Sequence, residues 1–138
     1  MPKFLRPFET YANYYEPVRI TATLSASAAL TVRQDAWGII AWSPGDATGL
    51  RSIPDAGLTP YLYDSEDQVK LALDLIADSR YVTTVREWAT VSFWKRLRDD
   101  VVTFSEAEDG WPGGKDRLPA PYSPQILTWF LAWKEARP

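Results

Sequence analysis

The chain contains neither cysteine nor histidine among its 138 residues. Without histidine it has no imidazole to act as a general base or a metal ligand, and without cysteine it has no thiolate nucleophile and no disulfide. The usual zinc and haem sites are therefore excluded. Any catalysis would have to use carboxylates, lysine, tyrosine or hydroxyl groups, and the sequence holds no complete catalytic motif. We therefore expect a protein that is not an enzyme and has no cofactor and no metal.

Long apolar runs and a large charge of one sign are also missing. No segment approaches the roughly 20 apolar residues of a membrane span, and the N-terminus lacks the apolar core of a signal peptide. The formal net charge is −3, from 15 basic and 18 acidic residues, which argues against a dedicated nucleic-acid binder. We therefore expect a cytoplasmic protein, or a virion component if a phage encodes it, with neither nucleic acid nor membrane among its partners.

Aromatic side chains are abundant, with seven Trp, seven Tyr and five Phe. These side chains bury large areas in cores and in interfaces alike. A chain of this length buries about two-thirds of the surface that its unfolded form exposes, which is enough for one domain without a metal or a disulfide.

The clearest pattern is the alternation of apolar and polar residues over residues 18–33, beginning Val18, Arg19, Ile20. A period of two is typical of a half-buried β-strand, and only Ala29 breaks it. We predict one long strand with its even-numbered side chains inward; a three-residue loop at residues 25–27 is the alternative. At about 3.3 Å per residue the strand would reach roughly 50 Å, longer than a compact domain of this size, so it would bend or project.

The other predicted strands and loops come from composition. Residues 37–42 are apolar on both parities and indicate an interior strand. Residues 43–60 contain three prolines and three glycines, which predicts a loop. Short strands are also predicted at residues 81–85 and 101–104, followed by a Pro/Gly-rich loop over residues 105–123.

Three segments carry helix signals. The predicted helices run from Ser65 to about Ser79, from Thr84 to about Asp99, and from Ser123 towards the C-terminus. The first two begin with capping boxes and the third with proline at the first helical position. Apolar residues recur every three or four positions in each helix, which indicates one buried face. In the last helix we expect Trp129 and Phe130 to be core residues.

These elements predict an α+β fold, with an antiparallel sheet of three to five strands and about three helices packed on it. Residues 18–138 would form the single domain. Residues 1–17, punctuated by proline, would be either an extended arm or a short helix from Pro7 with Phe8, Tyr11 and Tyr15 on one face.

Several possible ligand sites have simpler interpretations. The acidic residues Glu106, Glu108 and Asp109 do not match the spacing of a calcium loop and indicate a solvated loop. The basic stretch at residues 94–98 runs directly into two aspartates, which is typical of a solvated helix face. Carbohydrate is the best small-molecule candidate, because tryptophan rings stack on the faces of sugars and Trp42 and Trp111 are next to loop residues. No carboxylate pair for glycoside hydrolysis is identified.

The sequence therefore favours a non-catalytic protein that binds another protein or assembles with itself, as in a homo-oligomer or a viral or phage particle. The alternative is a carbohydrate-binding module or a small carboxylate-dependent hydrolase. The expected interaction residues are the aromatic side chains of the N-terminal segment and of one Pro/Gly-rich loop: Phe4, Phe8, Tyr11, Tyr14, Tyr15 and Trp111.

Overall fold

The structure is a computed structural model and describes residues 14–20, 36–43, 55–84, 87–88, 90–113 and 120–137. Its elements are β1 (Tyr14–Ile20), β2 (Ala36–Ser43), β3 (Asp55–Leu58), α1 (Glu66–Ile76), α2 (Val91–Glu106) and α3 (Pro124–Glu135). The strands form an antiparallel sheet in the order β1, β2, β3. This arrangement confirms the predicted α+β fold with three helices.

The predicted interior strand is confirmed, because β2 pairs with a strand on each side and Ile39 at its centre is 0% exposed. Strand β1 begins at Tyr14, before the predicted start of the long strand at Val18. Tyr15 is consequently part of a strand and not of the alternative N-terminal helix. Residues 21–35 lie outside the described residues, so the length of the strand and the loop alternative stay predictions.

The helices pack on the sheet face that carries Tyr15 and Pro17. The strand register places these residues opposite Ala41 and Ile39, and residues directly opposite one another point to the same side of a sheet. The Tyr15 ring lies 5.6 Å from the ring of Trp88, centroid to centroid, in an edge-to-face arrangement. The N-terminal end of β1 is therefore covered by its own domain.

The opposite sheet face carries Val18, which lies across from Gly38. A β-carbon added to Gly38 would lie 2.8 Å from the Leu58 side chain, so this face is also closely packed. The predicted alternation holds within β1, since Val18 and Ile20 are half-buried and Arg19 is exposed. However, the even-numbered side chains do not face the helices, because the odd-numbered Tyr15 does.

The predicted loop over residues 43–60 is wrong at its end, where β3 pairs with β2. Past β3 the chain stays hydrogen-bonded to the same strand: the Thr59 N–H donates to the Ile39 carbonyl at 2.9 Å, and Tyr63 forms a bridge with Trp37. Between these two contacts the chain bulges outwards, and Tyr61 has a φ of 72°. Pairing with the edge of β2, and not the local composition, makes this segment extended.

Helix α1 is the central helix, since it contacts β1, β2, α2 and α3. Its predicted N-cap is confirmed, because the Ser65 hydroxyl accepts a hydrogen bond from the Gln68 N–H at 3.3 Å. The Gln68 side chain accepts from the Asp64 N–H, and its amide donates to Ser105 of α2 at 2.8 Å. The helix ends at Ile76, somewhat earlier than predicted.

The prediction for α2 is wrong at both ends. The helix begins at Val91, with Thr90 and not Thr84 as its N-cap, and it continues to Glu106. The residues predicted as a strand at 101–104 are therefore helical. They extend the helical repeat of buried residues, since Val101 and Phe104 are both 0% exposed. The predicted strand at residues 81–85 is also absent, because residues 81–84 form turns and bends.

Candidate interaction surface

The inner face of α3 belongs to the core. Ile126, Phe130 and Trp133 are 2%, 0% and 8% exposed. The Phe104 ring of α2 packs edge-to-face against Phe130 and Trp133, with centroid separations of 5.3 and 5.4 Å. The helix begins as predicted, with Ser123 as N-cap and Pro124 in its first turn. The prediction that Phe130 is a core residue is confirmed.

The other half of that prediction is wrong, because Trp129 is 44% exposed. Among the residues that the structure describes, it is the one exposed large hydrophobic side chain. Its neighbours on the same side of the helix are also exposed and carry no charge. We call this set the outer face of α3: Gln125, Thr128, Trp129, Ala132 and Ala136.

Helical spacing explains the error. Residues 126, 129, 130 and 133 all recur every three or four positions, and a helix turns by about 100° per residue. Trp129 is therefore adjacent to the buried stripe but not within it. The sequence does hold a signal that α3 is unusual, since no charged residue occurs between Pro124 and Trp133. A helix that is apolar on most sides is normally covered on most sides.

The solvent side of α2 has the opposite character. Lys95 donates to the Asp99 carboxylate at 2.6 Å, and the Arg98 guanidinium lies 3.1 Å from the same side chain. The hydrogen bond from Lys95 lowers the pKa of Asp99. Arg96 lies 3.9 Å from Glu87, which precedes the helix. These contacts are typical of a face that remains in water.

Polar contacts with α2 and with the segment after it help to fix the position of α3 on the domain. The Asp100 carboxylate of α2 accepts a hydrogen bond from the Tyr81 hydroxyl at 2.7 Å and one from Lys134 at 3.0 Å. Burial, and then the contact with Asp100, raise the pKa of Tyr81, so the phenol stays protonated as a donor. Beyond the helix, Arg137 pairs with Asp109. The outer face of α3 is therefore held in a defined orientation.

The structure separates the interaction residues expected from the sequence. Phe4, Phe8 and Tyr11 lie outside the described residues. Tyr14 opens β1, and Tyr15 is half-buried against Trp88 and Trp94. Trp111 is 1% exposed, and its indole N–H donates to the Ala120 carbonyl at 2.9 Å, so it serves the core and offers no surface to a partner.

The other ligand readings gain no site in the described part of the chain. Trp94, beside the basic stretch of α2, is 4% exposed, so its ring cannot stack on a base. The Trp42 indole N–H donates to Glu16 at 2.6 Å. Within the described ranges, no group of three potential acidic metal ligands comes together.

Within the described ranges, each helix is too short or too polar to cross a membrane. The outer face of α3 combines exposure, apolar character and fixed orientation. Comparison of the chain with family models, curated proteins and solved structures gives no match.

Proposed function

We propose that this protein is a non-catalytic interaction or assembly subunit that contacts its partner protein through the outer face of α3. The observation that carries the proposal is the exposure of Trp129 on a helix that has no charge between Pro124 and Trp133. A solvated helix face normally carries charged side chains, as α2 does.

The physical argument concerns the free energy of leaving this surface in water. Apolar surface is stabilised by about 25 cal/mol for each Å² that a partner removes from water. Tryptophan is enriched among the residues that contribute most to protein interfaces, because its large rigid ring buries much area with little loss of conformational entropy. Trp129 has these properties, with small or uncharged side chains around it.

The rigid attachment of α3 adds to this argument. The core contacts of Phe130 and the pair of Lys134 with Asp100 hold the helix in place. A surface that is already ordered loses little entropy when it binds. The ordered state of α3 therefore supports binding of a partner through this helix. It argues against a rearrangement in which Trp129 folds back onto its own domain.

The test introduces one negative charge on each helix. Trp129→Glu changes the outer face of α3, and Thr103→Glu is the matched control at an exposed position of α2. The molar mass of each protein is measured by light scattering over a series of concentrations, and thermal unfolding verifies the fold. We expect Trp129→Glu to lower the mass of the assembly while the control keeps it.

Two results would overturn the proposal. One is a wild-type protein that stays monomeric at all concentrations and also binds no other protein in a way that Trp129→Glu abolishes. The other is an assembly whose mass is the same in Trp129→Glu as in Thr103→Glu, because association would then use a different surface.

A further inference from the structure

Resting on the proposed function, we propose that the occupant of the outer face of α3 is a second copy of the chain, with the two α3 helices packed antiparallel about a twofold axis. In such a dimer the same surface is used by both copies, so every contact occurs twice. The surface must therefore be complementary to itself, both in the sizes of its side chains and in its charges.

The side-chain sizes of the outer face meet this condition. Trp129 and Ala132 lie almost one turn apart near the middle of α3, which spans Pro124–Glu135. If the twofold axis passes level with residues 130 and 131, Trp129 of each copy lies over Ala132 of the partner subunit. Each large ring then fills the space above a small residue, which allows two helices to approach to the usual 8 to 10 Å.

The same axis position brings the two ends of the face together. Gln125 of one copy lies beside Ala136 of the partner subunit, and both side chains are exposed. Neither residue introduces a charge into the contact.

The charges at the helix ends select the antiparallel orientation. The N-terminus of α3 has no acidic residue in its first turn, and Ser123 makes no side-chain cap hydrogen bond, so the partial positive charge of this end is unopposed by its own helix. At the other end Glu135 is exposed and has no hydrogen bond or ion pair within the part of the chain described.

An antiparallel pair places each Glu135 carboxylate beside the N-terminus of the other α3, where a negative charge is stabilising. A parallel pair would instead place the two glutamates side by side and both positive ends together. Lys134 would not compensate, because its ammonium group already pairs with Asp100.

The absence of native cysteine allows a test by site-specific cross-linking, since a new thiol is the only one in the chain. Gln125→Cys and Ala136→Cys are prepared separately, mixed, and treated with a short bis-maleimide. Positions 125 and 136 on one α3 are about 16 Å apart at 1.5 Å per residue. In the antiparallel dimer, two copies of the same site are separated by this distance along the helix axis, whereas positions 125 and 136 of different copies are adjacent. In the control mixtures, Thr103→Cys, which is exposed on α2, takes the place of one of the two α3 variants. These mixtures measure cross-linking by random collision.

We expect a cross-linked dimer in the mixture of Gln125→Cys and Ala136→Cys, at least tenfold more than for either variant alone or for mixtures with Thr103→Cys. Intact mass and peptide mapping verify the 125 to 136 link. Circular dichroism and the light-scattering mass of each variant verify that it folds and still associates.

Cross-linking of each single variant with itself would indicate parallel helices and overturn the inference. No cross-linking above the Thr103→Cys level, in a protein whose association is still abolished by Trp129→Glu, would also overturn it but leave the proposed function intact. A wild-type protein that stays monomeric at all concentrations would overturn the homodimer but leave the proposed function intact, with a different protein as the partner. An assembly whose mass is the same in the wild type and in Trp129→Glu would contradict the proposed function itself.

Discussion

Helices α2 and α3 pack against each other through Phe104, Phe130 and Trp133, yet their solvent sides differ in chemistry. The exposed side of α2 carries charged residues joined by ion pairs, among them Lys95 with Asp99. The exposed side of α3 carries Trp129, and no charged residue occurs between Pro124 and Trp133. The two helices share one core, and from the difference between their surfaces we infer that α2 is adapted to water and α3 to a partner.

The comparison also shows what helical periodicity determines. In both helices the spacing of apolar residues correctly indicates a buried stripe, as for Leu97 and Phe130, each 0% exposed. It does not determine how wide that stripe is. The chemistry of the opposite side supplies this information, because charge marks the face that stays in water.

The largest effect should separate the two faces of α3 in their contributions to stability. Phe130→Ala removes a fully buried ring that contacts Tyr81, Phe104 and Trp133, and we expect it to lower the free energy of unfolding by about 3 to 5 kcal/mol. Trp129→Ala should cost far less in the dissociated protein. Urea unfolding at concentrations below those of association measures both, and equal losses would mean that Trp129 belongs to the core.

A smaller effect should distinguish the two neighbouring aspartates of α2. Asp100→Ala leaves the half-buried Tyr81 hydroxyl without its acceptor and releases Lys134, so we expect a loss of about 1 to 3 kcal/mol. Asp99→Ala removes only exposed ion pairs, worth about 0 to 1 kcal/mol. Chemical unfolding of both variants provides the comparison. If Asp99→Ala is the more damaging, the description of α2 as a solvated face is wrong.

The smallest effect is on the dependence of stability on pH. Hydrogen bonds from Arg80 and Lys95 lower the pKa values of Asp78 and Asp99. A carboxyl whose pKa is lower in the folded state contributes stability above its unfolded pKa of about 3.9, and loses it as the pH falls through the folded value. We expect a fall of less than about 1 kcal/mol per group between pH 5 and pH 2, because the partners Arg80 and Lys95 are exposed and the ion pairs lie at the surface.

The matched variants are Asp78→Asn and Asp99→Asn, whose unfolding free energies should decrease less over the same pH range. A pH profile that is identical in the wild type and both variants would show that these ion pairs do not contribute to stability in solution.

The sequence predicts well where local signals and tertiary packing agree. The capping hydroxyl of Ser65, the start of α3 after Ser123 and the apolar strand around Ile39 are such cases. It predicts poorly where tertiary contacts override local signals. β3 contains aspartate and glycine and becomes extended by pairing with β2. Helix α2 continues past Asp100, whose carboxylate accepts hydrogen bonds from Tyr81 and from Lys134 of α3.

The candidate surface shows the same division. Trp129 was identifiable as part of a helix, but its exposure depends on how α3 is rotated on the core, which Phe104 and the Lys134 contact determine. Trp111, in contrast, has the loop sequence of an accessible residue and is buried by its hydrogen bond to Ala120 and its contact with Phe104. Phe4, Phe8 and Tyr11 stay predicted interaction residues.

The most direct test of the central claim is whether Trp129 becomes covered when the protein associates. Hydroxyl-radical footprinting with peptide mass spectrometry measures the oxidation of this side chain at concentrations below and above association. Our account predicts that Trp129 is reactive in the dilute protein and several-fold protected in the associated form, whereas the α2 peptide containing Lys95 and Arg96 keeps its reactivity. Unchanged oxidation of Trp129 in an associated protein would contradict it.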